Sequence, residues 1–368
     1  MLRRILTCRT AEAGTHLFVC KDCDTRFPIY NSCLDRHCPQ CQGPATAQWL
    51  AARQARMLPT PHFQVVFTLP AALRGIALAN QQIVYALLFR VAASVLRDLA
   101  SQHFHARLGI LSVLHTWTSS LGYHPHLHCL VTAGGLHDDG ERWVASNPGW
   151  LFSQKAMGKM VRGRFLQELV NAFDRGELEL RGDPVEAERD FRSTTRALAN
   201  KHKRWVVHVE PPKGRPVDHV VGYLARYVKR VAIGDSRILR ITATTVTIAT
   251  RKGPLVLEGS EFVRRFLLHV LPRQFRKIRY QGLYAPGNAK VRLEAARELL
   301  GPIASGGSGG GGGDGDGDNE VQAVTLSDVE VARERPAAVG RCPVCGSGKT
   351  YRIFFLGPGV LRIARAPP

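Results

Sequence analysis

Apolar side chains recur at two different periods through the middle of this chain. HFQVVFTLP (62–70) is a β-rich apolar run closed by proline, which predicts a buried strand. From 76 to 99 the apolar positions are Ile76, Ile83, Val84, Leu87, Leu88, Val91, Val95, Leu96 and Leu99, the spacing of an amphipathic helix. ILSVLHTWT (110–118) and LHCLVT (127–132) predict two more strands. A Gly/Asp turn at GGLHDDG follows, then a return strand at ERWVA. Residues 155–173 read as helix, and WVVHV (205–209) as a strand stopped by Pro211 and Pro212. VDHVVGYLARYVKRV (217–231) is helical in pattern, with Asp218 placed in a first turn. ILRITATTVTIAT (238–250) is threonine-rich and β-like, and EFVRRFLLHVL (261–271) returns to helix before Pro272. Interleaved strands and helices predict a compact α+β or α/β sandwich, and α+β is the class adopted here.

The two ends lack this periodicity. Residues 1–45 are dense in Cys, His, Gly and Pro, as in a small metal-stapled module, and 46–58 read as a short basic helix before Pro59. GPIASGGSGGGGGDGDGD (301–318) is a flexible linker by composition, and CPVCG (342–346) lies beyond it. The expected division is therefore a small metal-stapled module with its basic helix (1–58), a main domain (59–300), a linker and tail (301–341), and a C-terminal tail with a lone CxxC (342–368).

Charge narrows the partner. Among 368 residues, 50 Lys+Arg stand against 30 Asp+Glu, a formal net charge of +20. Nucleic acid is the first polyanion to consider. No apolar stretch is long enough to span a bilayer, and MLRRILTCRTAEAG lacks the apolar core of a signal peptide, so an intracellular protein is expected with no membrane partner.

Six of the nine cysteines fall in the first 41 residues, which in a reducing compartment argues for metal. Cys20-Lys-Asp-Cys23 and Cys38-Pro-Gln-Cys41 are two clamps 14 residues apart, and four thiolates can close a structural zinc site. Cys8, His16, Cys33 and His37 are four more ligand-type residues nearby. They can form a second site, exchange with the first four, or simply pack. Cys342 and Cys345 alone cannot close a site, so they must borrow ligands, dimerise or stay empty.

HPHLHCLV (124–131) carries the other metal-type residues. On a strand, His126 and His128 share a face, and two imidazoles can hold a divalent ion with positions left open. His124 has the same parity, but Pro125 cannot donate to a ladder and tends to begin or edge a strand. Alone, a His-x-His is more often structural. Its partner is GYLARYVKR (222–230), where Tyr223 and Tyr227 stack four apart on a helix, among Arg226, Lys229 and Arg230. Segment 201–230 holds eight Lys/Arg against two Asp/Glu. Segment 264–279 holds six Lys/Arg, including Arg264, Arg265, Arg276 and Lys277, and no acid. Such stretches can line a groove that tracks phosphates. Metal, tyrosine and basic side chains together describe attack of a tyrosine on a phosphodiester.

In order, CRTAEAGTH (8–16), YNSCLDRHCPQCQ (30–42), HFQVVFTLP (62–70), LHTW (114–117), HPHLHCLV (124–131), WVVHVEPP (205–212), YLARYVKRVAIGDSRI (223–238) and EFVRRFLLHVLP (261–272) resemble the rolling-circle insertion-sequence transposases of the IS91 type. These are two-tyrosine HUH endonucleases with an N-terminal zinc domain. The resemblance implies a central antiparallel sheet with flanking helices, and the His pair on a middle strand facing the tyrosine helix. It implies Tyr223 and Tyr227 as nucleophiles, His126 and His128 as ligands of Mg²⁺ or Mn²⁺, and a third ligand for which His124 is the candidate. It also implies structural Zn²⁺, single-stranded DNA at element ends as substrate, and action in the bacterial cytoplasm at the nucleoid. The family usually carries more sequence before the zinc module, so a shortened start is expected. A replication initiator or relaxase shares this chemistry. A DNA-binding relic is the non-enzymatic alternative, against which the presence of both tyrosines and the His pair argues.

Overall fold

The computed structural model of the chain describes residues 1–41, 50–51, 56–200, 205–212, 232–288, 291–301 and 341–357 (backbone alone at 288, 353, 354 and 356). It sorts into two units, one of residues 1–45, 234–236 and 305–368, the other of 46–233 and 237–304. The first begins with helix α1 (Leu2–Leu6) and a hairpin of β1 (Thr15–Cys20) and β2 (Arg26–Tyr30). Thr15 opposite Tyr30 marks the base of the hairpin, and Cys20 stands at its tip.

The second unit is built on one antiparallel sheet. Its strands are β3 (His62–Thr68), β4 (Ala106–Trp117), β5 (Tyr123–His137), β6 (Trp143–Ala145), β7 (Val207–Glu210) and β11 (Ile278–Gly282), in the order β11-β4-β5-β3-β7, with β6 added beside β5. The strands expected at 62–70, 110–118, 127–132, 141–145 and 205–209 are all present. The helix expected over 76–99 is two: α2 (Arg74–Ala79) and α3 (Gln81–Phe104). They part at Asn80, whose side chain bonds both backbone groups of Glu179 instead, at 2.7 and 2.8 Å. Helix α4 (Gln154–Asp174) starts on a Ser153 cap, and α5 (Pro184–Ala199) on an Asp183 cap.

Strand alternation gives the sheet two faces. Phe63, Val65 and Phe67 of β3, Ile110 and Leu114 of β4, and Leu127, Cys129 and Val131 of β5 point into one core with α3 and α4. Leu111, Val113 and Leu130 point the other way, into a second core with Leu283, Tyr284, Leu293 and Ala296, the last two on α7 (Arg292–Leu300). Gly282 closes β11 at φ +58°, where a Cβ would stand 1.9 Å from the Leu108 carbonyl oxygen, so only glycine fits. A separate sheet of β8 (Ile238–Ile241), β9 (Thr245–Thr250) and β10 (Gly253–Glu258) lies beside α6 (Gly259–Leu267); the threonine-rich segment is thus a hairpin rather than one strand. These elements pack around Leu121, in the loop between β4 and β5.

After the segment 302–340, which lies outside the described residues, β12 (Thr350–Leu356) pairs antiparallel with the free edge of β1. The C-terminal tail therefore joins the N-terminal unit, although the sequence division kept the two apart. Among the described residues no helix is long and apolar enough to cross a membrane.

Candidate functional site

Three imidazoles converge on the second face of the central sheet. His126 and His128 project from β5 with Leu127 turned into the opposite core, as strand alternation requires. His115 of β4 lies directly opposite His126 in the register. The ring centroids are 5.3 Å apart for His115 and His126, 4.4 Å for His115 and His128, and 4.9 Å for His126 and His128. One nitrogen from each ring lies within 4.8 Å of the others.

Burial decides their charge. It is the main cause that lowers His126 to about 4 and His128 to about 3, with neighbouring positive charges, Arg251 among them, adding to the effect. The same burial holds His115 well below the ordinary value, aided by His128, His126 and Lys277. Three neutral imidazoles offer lone pairs, the form that binds metal.

The second ring nitrogens are oriented by neighbours. His126 Nδ1–H donates to the His124 carbonyl at 2.6 Å, which leaves Nε2 as the ligand atom. The Gln64 carboxamide nitrogen of β3 lies 3.0 Å from His128 Nδ1. A half-turn of this amide puts its oxygen there instead, where it accepts the Nδ1 proton and leaves Nε2 for a cation. Trp117 stacks on His115 at 4.9 Å. Among the described residues the set holds no carboxylate, and three imidazoles fit a divalent ion with positions left open.

His124, the sequence candidate for the third ligand, is not in this cluster. Between the pairs His115–His126 and Trp117–Tyr123, β5 has two residues, His124 and Pro125, where β4 has only Thr116. This bulge absorbs the missing proline N–H and turns His124 out of simple alternation. Its Nδ1 instead accepts from Arg74 Nη2 at 2.6 Å. His115 is the member that sequence reasoning missed, although LHTW was among the blocks carrying the resemblance.

The strand ends beside this cluster are anchored. His269 donates from Nε2 to the Leu121 carbonyl at 3.0 Å and accepts at Nδ1 from the Thr116 hydroxyl at 3.1 Å. Arg265 binds the Ser120 carbonyl at 3.0 Å and Glu261 at 2.6 Å, and Arg264 chelates the same carboxylate. Both arginines thus have local partners. Lys277, expected on an open groove, is buried, with its ammonium 5.8 Å from the Trp117 ring centroid. Arg276 lines an open cleft of about 590 Å³ with Arg273, Arg279 and Tyr280. Tyr223 and Tyr227, with Arg226, Lys229 and Arg230, lie outside the described residues.

The cysteines sort differently from their spacing in sequence. Cys8, Cys33, Cys38 and Cys41 form one cluster, and Cys20, Cys23, Cys342 and Cys345 another. The two N-terminal CxxC clamps therefore do not share an ion. The physical reason is the hairpin: Cys20 and Cys23 are at its tip, while Cys8 and Cys33 flank its base, one strand length or roughly 17 Å away. In the base cluster Cys41 Sγ lies 3.5 Å from Cys8 Sγ and 3.7 Å from Cys33 Sγ. A tetrahedron with Zn–S bonds of about 2.3 Å has S···S edges of about 3.8 Å, so the thiols already stand at ligand spacing. The Cys33 and Asp35 amides donate to Cys8 and Cys33 sulfur, each at 3.4 Å. His16 and His37 stay outside both clusters. His16 bonds Asn31 at 2.9 Å and Arg352 at 3.3 Å, and His37 bonds Asp35 at 2.9 Å.

Two known families match this chain. Residues 1–69 match the family described as a transposase zinc-binding domain, and residues 109–292 match the family described as "Putative transposase". The chain is 42% identical to the "Putative transposase y4qJ" of Sinorhizobium fredii, over 96% of this chain and 89% of that one. It is 30% identical to the transposase for insertion sequence element IS801 of Pseudomonas savastanoi pv. phaseolicola, over 77% of this chain and 69% of the relative.

Proposed function

The chain belongs to the IS91-type transposase family, and from that premise we propose that it nicks and transfers single-stranded DNA at insertion-element ends, in rolling-circle fashion, through a covalent 5′-phosphotyrosine. The observation that carries the reading is the cluster of His115, His126 and His128, three neutral imidazoles on one face of the central sheet. A divalent ion on these three, Mg²⁺ or Mn²⁺, supplies Lewis acidity to the scissile phosphate.

The remaining work falls to side chains. Tyr223 or Tyr227 is the nucleophile. Its phenolic oxygen forms the bond to phosphorus, the bond to the 3′ oxygen breaks, and that oxygen leaves as a 3′-OH after taking up a proton. An isolated phenol near pKa 10 needs positive surroundings to lose its proton at neutral pH. Arg226, Lys229 and Arg230 adjoin the tyrosines in sequence, and Arg251 and Lys277 influence the histidines. The phosphotyrosine conserves the energy of the broken bond, so a 3′-OH can reverse the step without ATP. Two tyrosines permit two successive transfers. The basic cleft of Arg273, Arg276 and Arg279, with Tyr280 beside it, suits a phosphate backbone and stacked bases. Such chemistry takes place at the bacterial nucleoid.

The test is incubation with labelled single-stranded element-end DNA and Mn²⁺, followed by a search for an SDS-stable protein–DNA adduct. An adduct that disappears in the Tyr223→Phe,Tyr227→Phe double variant is expected. Absence of any adduct with every end sequence and divalent metal overturns the catalytic reading. An adduct retained by the double variant overturns the nucleophile assignment.

A further inference from the structure

We propose that Cys20, Cys23, Cys342 and Cys345 form a second tetrahedral zinc site, which fastens the C-terminal segment onto the N-terminal module within one chain. The zinc-binding match ends at residue 69 and does not reach Cys342 or Cys345.

The two CxxC segments are folded alike. The Cys20 amide donates to the Thr25 carbonyl at 3.0 Å, and the Cys342 amide to the Ser347 carbonyl at 2.8 Å, in each case five residues on. The Asp24 amide donates back to the Cys20 carbonyl at 3.0 Å, and the Gly346 amide to the Cys342 carbonyl at 3.0 Å. Asp24 and Gly346 both take positive φ, 53° and 72°. Each loop is thus a tight knuckle that turns two sulfurs to one side, and the knuckles face each other. Cys20 Sγ is 3.6 Å from Cys345 Sγ, and Cys23 Sγ is 3.5 Å from Cys342 Sγ. These are the edges of a ZnS₄ tetrahedron, far longer than a disulfide of about 2.05 Å. The Val344 amide donates to Cys342 sulfur at 3.4 Å, a bond suited to a thiolate.

The surroundings hold the knuckles in register. β12 pairs with β1 from Thr350 opposite Cys20 to Leu356 opposite Thr15. The Lys21 amide donates to the Lys349 carbonyl at 2.8 Å, and Asp22 accepts from the Ser347 hydroxyl and sits 3.5 Å from Lys349 Nζ. A three-stranded sheet of β2, β1 and β12 with two facing knuckles is the layout of a zinc ribbon. Here the ribbon takes one knuckle from each end of the chain.

Elemental analysis of the full chain is expected to give two zinc ions. Cys342→Ser,Cys345→Ser is expected to keep one, and its Co²⁺-substituted form to lose half of the thiolate charge-transfer absorbance. One ion in the unaltered chain, or two in the double variant, overturns the proposal. A second measurement keeps all eight thiols: a specific protease site is inserted at 306–313 and cut. The C-terminal piece is expected to stay bound to a monomer and to leave when a zinc chelator is added. Release before chelation, or retention only in a chelator-sensitive dimer, overturns a clamp closed within one chain.

Discussion

His115 and His126 stand opposite each other across β4 and β5, their rings 5.3 Å apart and perpendicular, and this cross-strand pair converts a His-x-His strand into a three-nitrogen cluster. The pair separates two histidines that sequence alone ranks the other way round. His115→Ala removes one of three donors and is expected to weaken Mn²⁺ binding by about 100-fold or more, beyond the range usual for outer-shell changes. His124→Ala leaves the three donors in place and is expected to cost less than about 10-fold. Isothermal titration with Mn²⁺, together with adduct yield, reads both. Equal losses in the two variants would return His124 to the ligand set.

Gln64 meets His128 Nδ1 at 3.0 Å from β3, so the orientation of this ligand depends on a neighbouring strand. Gln64→Leu keeps the volume and deletes the carboxamide, whose oxygen is the acceptor once the amide is turned over. It is expected to lower metal affinity about 10- to 100-fold with the fold intact. Gln64→Glu supplies a stronger acceptor for the Nδ1 proton and is expected to restore or exceed the original affinity. A leucine variant that binds Mn²⁺ as the parent does would show that Gln64 does not orient the ring.

How far the sequence reached depended on whether a feature is local. HFQVVFTLP and LHCLVT became β3 and part of β5 because their patterns are carried by adjacent residues. His126 and His128 share a face for the same reason. His115 did not announce itself, because its alignment with His126 is a register between two strands and leaves no trace within either. The bulge at His124 and Pro125 likewise exists only relative to β4. The CxxC clamps are legible in the sequence, but which of the open groupings they adopt is not, since a hairpin stands between two pairs and a distant third pair meets one of them. Helix α5 went unread because Phe191 and Thr195 are its only buried side chains, too few to show a period.

Metal choice follows from the donors. Three imidazole nitrogens, with no carboxylate grouped with them among the described residues, suit a transition ion better than Mg²⁺, which favours oxygen ligands in a strict octahedron. Adduct formation is therefore expected to reach half its maximum at an Mn²⁺ concentration about tenfold or more below that for Mg²⁺. Titration of the two ions against the same labelled strand decides this. Equal half-maximal concentrations would mean that oxygen donors, from the chain or the DNA, dominate the sphere.

His62 gives the chain an acid sensitivity that is separate from catalysis. It donates from Nδ1 to the Thr60 carbonyl at 2.7 Å and accepts at Nε2 from the Tyr284 hydroxyl at 2.7 Å, and the same hydroxyl accepts from the Leu58 amide. Complete burial lowers it from its ordinary 6.5 to about 4. In the unfolded chain His62 takes up a proton as pH falls through 6.5, and in the folded chain it does not until about 4. The folded state is thus fully favoured above 6.5, and stability falls between 6.5 and 4, by about 3 kcal/mol for this group. His62→Gln retains a hydrogen-bonding side chain and removes the titration. Urea unfolding of the catalytic unit, followed from pH 7 to pH 4.5, is expected to show a pH slope smaller by about one proton in the variant, whatever its absolute stability. An unchanged slope would mean that His62 already carries its proton in the folded protein, with the Tyr284 hydroxyl acting as its acceptor.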